Sequence, residues 1–226
     1  MIQAILFDCD GVLMDTERLA NEINAELLQS AGIPMTYDDC RQHLTGRTEA
    51  AVRQFIAENF AGSDPDWDLG GKKWKARFRH QVQETQPVMP GAVSMLASLT
   101  LPYAVVTNAG FDDMNFKFDV TPLGAFFHPE LRFSGQALNM PKPEPGAYLA
   151  AAQKLGVAPQ HCVVVEDSVI GVQAGLNAGM QVWGFTADAN EATLLTAGAH
   201  RCFNHLDQLI GLVGYTNNIK ITGMAG

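Results

Sequence analysis

Two aspartates one residue apart, Asp8 and Asp10, end a short apolar segment that is typical of a buried β-strand. Burying a strand and ending it in two carboxylates is electrostatically costly unless a cation or a substrate compensates the charge. Open α/β sheets bind their ligands at the carboxyl ends of the strands. The pattern therefore predicts a metal-dependent site at the end of the first strand. The alternative is a turn in which the two aspartates only accept local backbone hydrogen bonds.

An aspartate pair of this kind can divide the work of phosphoryl transfer. One carboxylate can attack phosphorus and form an acyl phosphate, which splits a hard displacement into two easier ones. The other carboxyl group can protonate the leaving oxygen and later activate water. Gly11, the next residue, lets the backbone approach an anion closely. A calcium-binding loop is disfavoured, because Val12 stands where a ligand is needed and no glutamate ends the loop.

A second acidic pair, Glu166 and Asp167, ends another apolar segment and is followed by Ser168. If that segment lies in the same sheet, Asp167 can face Asp8, and carboxylates brought together need a divalent cation or must take up a proton. Oxygen ligands without histidine or cysteine suit Mg²⁺. The alternative is that Asp167 or Ser168 only caps the next helix, a role we expect for Ser168 in either case.

Two further segments carry residues that suit phosphate binding. Thr107 and Asn108 end a third apolar segment, where a hydroxyl group and backbone N–H groups can bind phosphate oxygens. The same residues also suit an ordinary turn. Lys142 lies among three prolines, which stiffen its loop, so its ammonium group can neutralise a nucleophile or a phosphoryl group. The alternative is a solvent-exposed lysine.

Strands that alternate with helices position these residues. Apolar runs predict buried parallel strands at Ala4–Phe7, Tyr103–Thr107, Cys162–Val165 and Gln181–Phe185, with a fifth near Arg201–Phe203. Helical periodicity separates most of them, as at Ala147–Leu155 and Val169–Ala178. This alternation predicts an α/β fold with a doubly wound, Rossmann-like parallel sheet.

Residues 17–86 interrupt the alternation, because they hold no convincing strand pattern. Their periodicity predicts helices at Glu17–Gly32, Asp38–Leu44, Glu49–Phe60 and Lys72–Gln83. We therefore predict a Rossmann-like catalytic core formed by residues 1–16 and 88–226, with an all-helical domain inserted at residues 17–87. The polar, glycine-containing tail Tyr215–Gly226 is expected to be loosely ordered.

The composition narrows the class of protein. Of 226 residues, 47% are hydrophobic, which is enough for a large buried core. The 15 Lys and Arg residues against 24 Asp and Glu residues give a net charge of −9, which argues against a nucleic-acid partner. The four cysteines have no zinc-type spacing and no apolar run reaches bilayer length. We therefore expect a cytoplasmic protein without a membrane partner.

Four segments together resemble the motifs of the haloacid dehalogenase-like hydrolase superfamily, in its branch of helical-cap phosphatases and β-phosphoglucomutase-like proteins. The run from Asp8 to Thr16 fits the first motif, D-x-D-G-x-(L/V)-x-D-(S/T), at every position. Thr107 fits the second motif, and Lys142 fits the third, with Pro141 in place of the usual glycine. The run from Glu166 to Met180 fits the fourth motif, E-D-S-x-x-G-x-x-A-x-x-A-G-M, with one change: the stretch from Gly175 to Asn177 has one residue more than the motif before Ala178-Gly179-Met180.

The resemblance implies a catalytic role for each aspartate of the first motif. Asp8 is expected to be the nucleophile that becomes an aspartyl phosphate, and Asp10 the general acid and base. The resemblance also implies a Mg²⁺ site made by the Asp8 carboxylate, the Asp10 backbone carbonyl and the Asp167 carboxylate, with Glu166 nearby. Thr107, with Asn108, and Lys142 are expected to bind the phosphoryl oxygens.

The inserted domain at residues 17–87 matches the helical cap of this superfamily, and the resemblance implies that it selects the substrate. Arg47, in a loop between two predicted helices, is the first candidate for a contact with an anionic or polyhydroxy substrate. Lys75 is the second candidate. The alternative for Arg47 is an ion pair with a nearby acid such as Glu49 or Asp39.

Two features near the first motif favour a phosphatase over a sugar phosphomutase. The similar mutases carry a histidine shortly after the motif, where this chain has Ala20 and Asn21, and Glu17 directly after Thr16 is common in the phosphatases. We predict a monomeric enzyme that hydrolyses a small sugar phosphate or a related phosphorylated metabolite with Mg²⁺. The alternatives are a sugar phosphomutase and, with less support, a non-catalytic binding protein.

Overall fold

The computed structural model describes residues 1–45, 49–60 and 71–222, and for residues 49–51 and 218–222 it describes the backbone alone. The strands are β1 (Ala4–Asp8), β2 (Tyr103–Thr107), β3 (Arg132–Ser134), β4 (Cys162–Glu166), β5 (Gln181–Phe185) and β6 (Arg201–Phe203). The helices are α1 (Thr16–Ser30), α2 (Tyr37–His43), α3 (Glu49–Asn59), α4 (Lys72–Thr85), α5 (Ala92–Ser98), α6 (Phe111–Asp119), α7 (Gly146–Leu155), α8 (Val169–Asn177), α9 (Glu191–Thr196) and α10 (Gln208–Thr222). Short 3-10 turns cover Pro122–Ala125, Pro129–Leu131 and Pro159–His161.

The six strands form one parallel sheet in the order β3-β2-β1-β4-β5-β6. This order is that of doubly wound nucleotide-binding folds, in which the chain reverses direction across the sheet beside the first strand. Here β1 pairs with both β2 and β4, with Leu6 beside Ala104 on one side and beside Val164 on the other. The predicted α/β class with a doubly wound parallel sheet is confirmed.

The sheet is buried on both faces, as its nearly continuous apolar strands predict. On one face, Leu6, Val164 and Val182 belong to a core that includes the small side chains of α7 and α8, such as Ala151. Gly175 of α8 lies so close to the sheet that a Cβ there would be 2.7 Å from a Val182 methyl group. The alanine- and glycine-rich sequence of these helices therefore serves close packing against the strands.

The chain divides into two compact units. The first comprises Met1–Met14 and Val88–Gly226 and contains the sheet, and the second comprises Asp15–Pro87 and contains α1 to α4. The helical unit has an apolar core of its own. That core is made of Ala25, Leu28, Ile33, Met35, Cys40, Leu44, Val52 and Ile56.

Strand β3 is missing from the sequence prediction. It has three residues and places Arg132 in the sheet, where a charged residue gives no strand signal. The Arg132 guanidinium is nevertheless buried, because it donates to the Phe127 carbonyl oxygen and to the side chains of Asn115 and Asp119. These partners come from other parts of the chain, so the local sequence could not indicate the strand.

The expectation of a loosely ordered tail is wrong for residues 215–222, which continue α10. The helix is held by buried Leu209 and Val213, and by the Asn217 amide, which accepts from Ile2 N–H at 2.7 Å and donates to the Ile2 carbonyl at 3.2 Å. Residues 223–226 lie outside the described residues. Among the described helices, none is both long and apolar enough to cross a bilayer.

Candidate active site

Acidic and hydroxyl side chains meet at the carboxyl edge of the sheet, where three neighbouring strands end. Strand β1 ends at Asp8, β2 ends at Thr107, and β4 ends at Glu166 with Asp167 directly after it. Because β1 lies between β2 and β4, these side chains converge from both sides on Asp8. Parallel pairing thus joins segments that are about a hundred or more residues apart in the chain.

Lys142 is buried at the centre of this group. Its ammonium group donates to Asp8 Oδ1, to Glu166 Oε1 at 2.5 Å and to the Val106 carbonyl oxygen at 3.2 Å. Only 4% of its side chain is exposed. The alternative of a solvent-exposed lysine is therefore wrong, and Lys142 links the two acidic strand ends.

The loop that carries Lys142 is held by Asn108 at the end of β2. The Asn108 amide accepts from the Lys142 backbone N–H at 2.7 Å and donates to the Lys142 carbonyl oxygen at 3.3 Å. The oxygen and the nitrogen of the Asn108 side chain thus both bond to the backbone of Lys142. The neighbouring Thr107 hydroxyl accepts from the Ala109 N–H at 3.0 Å, which orders the turn after β2.

Glu166 is completely buried and accepts hydrogen bonds on both carboxylate oxygens. Besides Lys142, Oε1 accepts from the Tyr148 hydroxyl at 2.8 Å. Oε2 accepts from the backbone N–H groups of Asp167 and Ser168 and from the Ser168 hydroxyl, at 3.0 to 3.3 Å. A carboxylate with this many donors is held in one position. The role that follows is to fix Lys142.

The helix-capping role expected for Ser168 is confirmed. Its hydroxyl oxygen accepts from the Gly171 N–H at 3.1 Å and starts α8. Gly171 has a second role, because a Cβ at that position would lie 1.9 Å from the Glu166 carboxylate. Gly11 is constrained in the same way: its φ is +86°, and a Cβ there would lie 1.8 Å from Asp167 Oδ2. Both glycines make room for site carboxylates.

The Asp10 side chain has a partner that sequence reasoning missed. Lys117, in the last turn of α6, donates to Asp10 Oδ1 at 2.5 Å, and its side chain is 7% exposed. A basic residue in the last turn of a helix is ordinary, so nothing in the local sequence singled it out. Tyr148 was missed for the same reason, as one aromatic residue within an apolar helix.

The charges at the site perturb one another strongly. Burial raises the pKa of Asp8 to about 7, although the Lys142 ammonium opposes this shift. Burial alone would lower the pKa of Lys142, but the carboxylates of Asp8 and Glu166 raise it well above its usual value. Negative charge exceeds positive charge around Asp8, so an additional cation would stabilise the ionised site.

A metal ion fits this arrangement. Asp8, Glu166 and Asp167 each offer a carboxylate oxygen, and the three atoms lie within 4.8 Å of one another. A donor set of oxygens alone suits Mg²⁺ rather than zinc or copper. The hydrogen bonds that Glu166 already accepts leave Asp8 and Asp167 as the better direct ligands.

The roles expected of Lys75 and Arg47 in the helical unit stay predictions. Lys75 is exposed on α4. Arg47 lies outside the described residues. Asp39, the suggested partner for Arg47, accepts hydrogen bonds from the backbone N–H and hydroxyl of Thr36 in a capping box at the start of α2.

Comparison with known proteins finds a family match and similar enzymes. The model of the haloacid dehalogenase-like hydrolase family matches residues 2–179. The chain is 27% identical to 6-phosphogluconate phosphatase of Escherichia coli (strain K12), over 92% of this chain and 93% of that protein. It is 30% identical to hexitol phosphatase A of the same organism, over 85% of this chain and 87% of that protein.

A solved structure has the same architecture. The crystal structure of a hydrolase of this family from Deinococcus radiodurans R1, with bound phosphate and sodium, superposes with a TM-score of 0.85. The two chains are 27% identical, and the match covers 96% of each.

Proposed function

Since the chain belongs to the haloacid dehalogenase-like hydrolase family and is a phosphatase of that family, we propose that it hydrolyses a small sugar phosphate or related metabolite through an aspartyl-phosphate intermediate. The observation that carries the proposal is the Asp8 carboxylate, held at the end of β1 by a buried ammonium group. Burial removes competing water from the nucleophile, and the ammonium group fixes its orientation.

The proposed reaction has two steps that use Asp8 and Asp10 in turn. In the first, an Asp8 oxygen bonds to phosphorus, the bond to the leaving oxygen breaks, and the Asp10 carboxyl group gives that oxygen its proton. In the second, the Asp10 carboxylate takes a proton from water, and the water oxygen attacks phosphorus. The bond from phosphorus to Asp8 then breaks and releases inorganic phosphate.

Lys142 and Thr107 are proposed to bind the phosphoryl oxygens. The Lys142 ammonium group already lies against Asp8, so it can contact a phosphoryl group that approaches this carboxylate. The Thr107 hydroxyl and the N–H groups that follow β2 lie on the neighbouring strand end. Asn108 and Glu166 would act by holding Lys142, through its backbone and its ammonium group respectively.

The proposed cofactor is Mg²⁺, held by the carboxylates of Asp8 and Asp167 and by the Asp10 backbone carbonyl, with Glu166 close by. When bound, the ion would act as a Lewis acid that reduces the repulsion between a phosphoryl group and the Asp8 carboxylate. Asp167 is positioned for this role by Gly11, which leaves space for its carboxylate.

The substrate class rests on the relatives. Two phosphatases that match most of the chain are named for a phosphorylated sugar acid and for phosphorylated hexitols. A polyhydroxy phosphomonoester is therefore the proposed substrate, with Arg47 and Lys75 as the candidate contacts. We also propose a cytoplasmic location, which the free thiols of the four cysteines suit.

The proposal is tested by phosphate release from a panel of sugar, sugar-acid and hexitol phosphates, each measured with Mg²⁺, with EDTA and with Mg²⁺ restored. We expect release from at least one member, lost with EDTA and regained with Mg²⁺. No metal-dependent release from any member, or from p-nitrophenyl phosphate, would overturn the proposal. Isomerisation of a hexose phosphate activated by a bisphosphate would instead identify the mutase alternative.

A further inference from the structure

The ion pair between Lys117 and Asp10 is unusual for a lysine at the end of a helix. Lys117 and Lys154 both stand in the last turn of a helix, α6 and α7 respectively. Lys154 pairs with Glu130 at 2.7 Å and keeps 44% of its side chain exposed, whereas 7% of the Lys117 side chain is exposed. A favourable interaction with the helix dipole explains either lysine but requires no burial.

Burying an ammonium group costs free energy that only a well-placed partner offsets. For Lys117 that partner is Asp10, whose Oδ1 lies 2.5 Å from Nζ. The carboxylate keeps the charge on Lys117, since burial alone would lower the pKa of the lysine and Asp10 raises it above its usual value. Lys117 is therefore a buried positive charge held against the Asp10 carboxylate.

The helix that carries Lys117 is itself fixed against the sheet. Arg132 of β3 donates to the side chains of Asn115 and Asp119 at 3.0 and 2.9 Å, and its guanidinium lies 5.0 Å from the centre of the Phe118 ring. The Thr121 hydroxyl donates to the Lys117 carbonyl oxygen at 2.7 Å. These contacts on both sides of Lys117 hold its backbone, so the ammonium group has a fixed point of attachment.

We propose that Lys117 is a positioning residue, which holds the Asp10 carboxyl group in the orientation needed for proton transfer to and from the reacting oxygens. The inference rests on the proposed function, in which Asp10 first gives its proton to the leaving oxygen and then takes one from water. Lys117 gains and loses no proton in either step. Its hydrogen bond to Oδ1 fixes the rotation of the carboxyl group and stabilises the carboxylate left after the first step.

The test compares Lys117→Met with the matched variant Lys154→Met on two substrates. One is the sugar phosphate that the wild-type enzyme hydrolyses fastest, and the other is p-nitrophenyl phosphate, whose leaving group departs without a proton. We expect Lys117→Met to lower kcat on the sugar phosphate by about 10- to 100-fold with KM nearly unchanged, a fraction of the ~10²–10⁴-fold that general acid–base catalysis supplies. First-turnover release of p-nitrophenolate should fall by less than about threefold.

A second comparison shows whether Lys117 acts through Asp10. In an Asp10→Asn background, Lys117→Met should cause no further loss on the sugar phosphate, because two residues that act as a unit are not additive. Lys154→Met should resemble the wild type on both substrates. Lys117→Gln, which loses the ammonium group but keeps a hydrogen-bond donor, carries the same test if the methionine variant does not fold.

Equal losses on the two substrates, unchanged activity in Lys117→Met, or a further loss in the Asp10→Asn background would each overturn the inference. Failure of the proposed function is distinguished from these results by the wild-type enzyme, which would then release no phosphate with Mg²⁺.

Discussion

The ion pairs at the carboxyl edge of the sheet and those described in the helical unit differ in their exposure to solvent. At the carboxyl edge of the sheet, the side chains of Asp8, Lys142 and Glu166 form ion pairs and are at most 9% exposed. In the helical unit, the pairs Arg18–Glu22 and Arg77–Glu26 keep 41 to 50% of each side chain exposed. Exposed pairs contribute little to stability, whereas losing one partner of a buried pair is costly.

The helical unit holds together by other means. Apolar side chains such as Leu28 and Ile33 are completely buried, and α2 begins with a capping box in which Thr36 and Asp39 each bond to the backbone of the other. Burial of apolar area and capping are sufficient for such helices. The comparison teaches that the ion pairs of the sheet edge are buried, where losing one partner is costly, whereas these pairs of the helical unit lie at the solvated surface.

The largest effect should follow from Asp8→Asn, which removes the proposed nucleophile and keeps its shape. We expect phosphate release to fall below detection, because an amide does not form the acyl phosphate. The fold should remain, since Lys142 keeps Glu166 as a partner. Phosphate release and thermal unfolding of the variant test both statements. Asp38→Asn, at an exposed position of α2, is the control and should retain full activity.

Lys142→Met should lower both activity and stability. The loss of stability should be larger than the loss caused by breaking an ion pair on the surface. It leaves the carboxylates of Asp8 and Glu166 buried without their shared cation, so the free energy of unfolding should fall by about 3 kcal/mol. Activity should fall by at least about 100-fold, as for other lost electrostatic contacts to a reacting group. Urea denaturation and phosphate release measure these effects. A loss no greater than that of Lys154→Met would contradict the comparison.

Tyr148→Phe removes one hydroxyl group, which donates a hydrogen bond to the buried Glu166 carboxylate, and so measures a single contact of the sheet edge. Glu166 keeps Lys142 and the donors around Ser168, so the free energy of unfolding should fall by only about 1 kcal/mol, the net worth of one hydrogen bond. Activity should fall less than tenfold, through a less rigid Lys142. Tyr103→Phe on β2 is the matched control. Equal unfolding midpoints for the two variants would show that the Tyr148 hydroxyl contributes nothing.

The sequence predicted most of the sheet-edge residues because their signal is local. Asp8, Thr107 and Glu166 each end an apolar run, and a strand end is recognisable without knowledge of its neighbours. Lys142 is marked by the prolines around it. The parallel order of the strands then brings these residues together, which the alternation of strands and helices was sufficient to predict.

Residues that reach the site from the side of a helix had no such signal. Lys117 contacts Asp10 across 107 positions of the chain, and Tyr148 contacts Glu166 only because α7 packs on the sheet. Their types are ordinary for the helices in which they stand, so only the three-dimensional packing reveals them. The same limit hid β3, whose first residue, Arg132, donates hydrogen bonds to side chains of α6.

The smallest effect should come from the surface pair Arg77–Glu26, which joins α4 to α1 within the helical unit. We expect a double-mutant cycle of Arg77→Met and Glu26→Gln to give a coupling free energy below about 1 kcal/mol, decreasing as salt is added. Methionine keeps an apolar side chain on the surface that the arginine stem covers, so the cycle reports charge rather than packing. Urea denaturation at two salt concentrations is the measurement. A coupling free energy of about 3 kcal/mol that does not decrease with salt would make this exposed pair as strong as the buried pair of Lys142 and Glu166. Solvent exposure would then no longer decide what an ion pair contributes to stability, and the distinction between the two regions would fail.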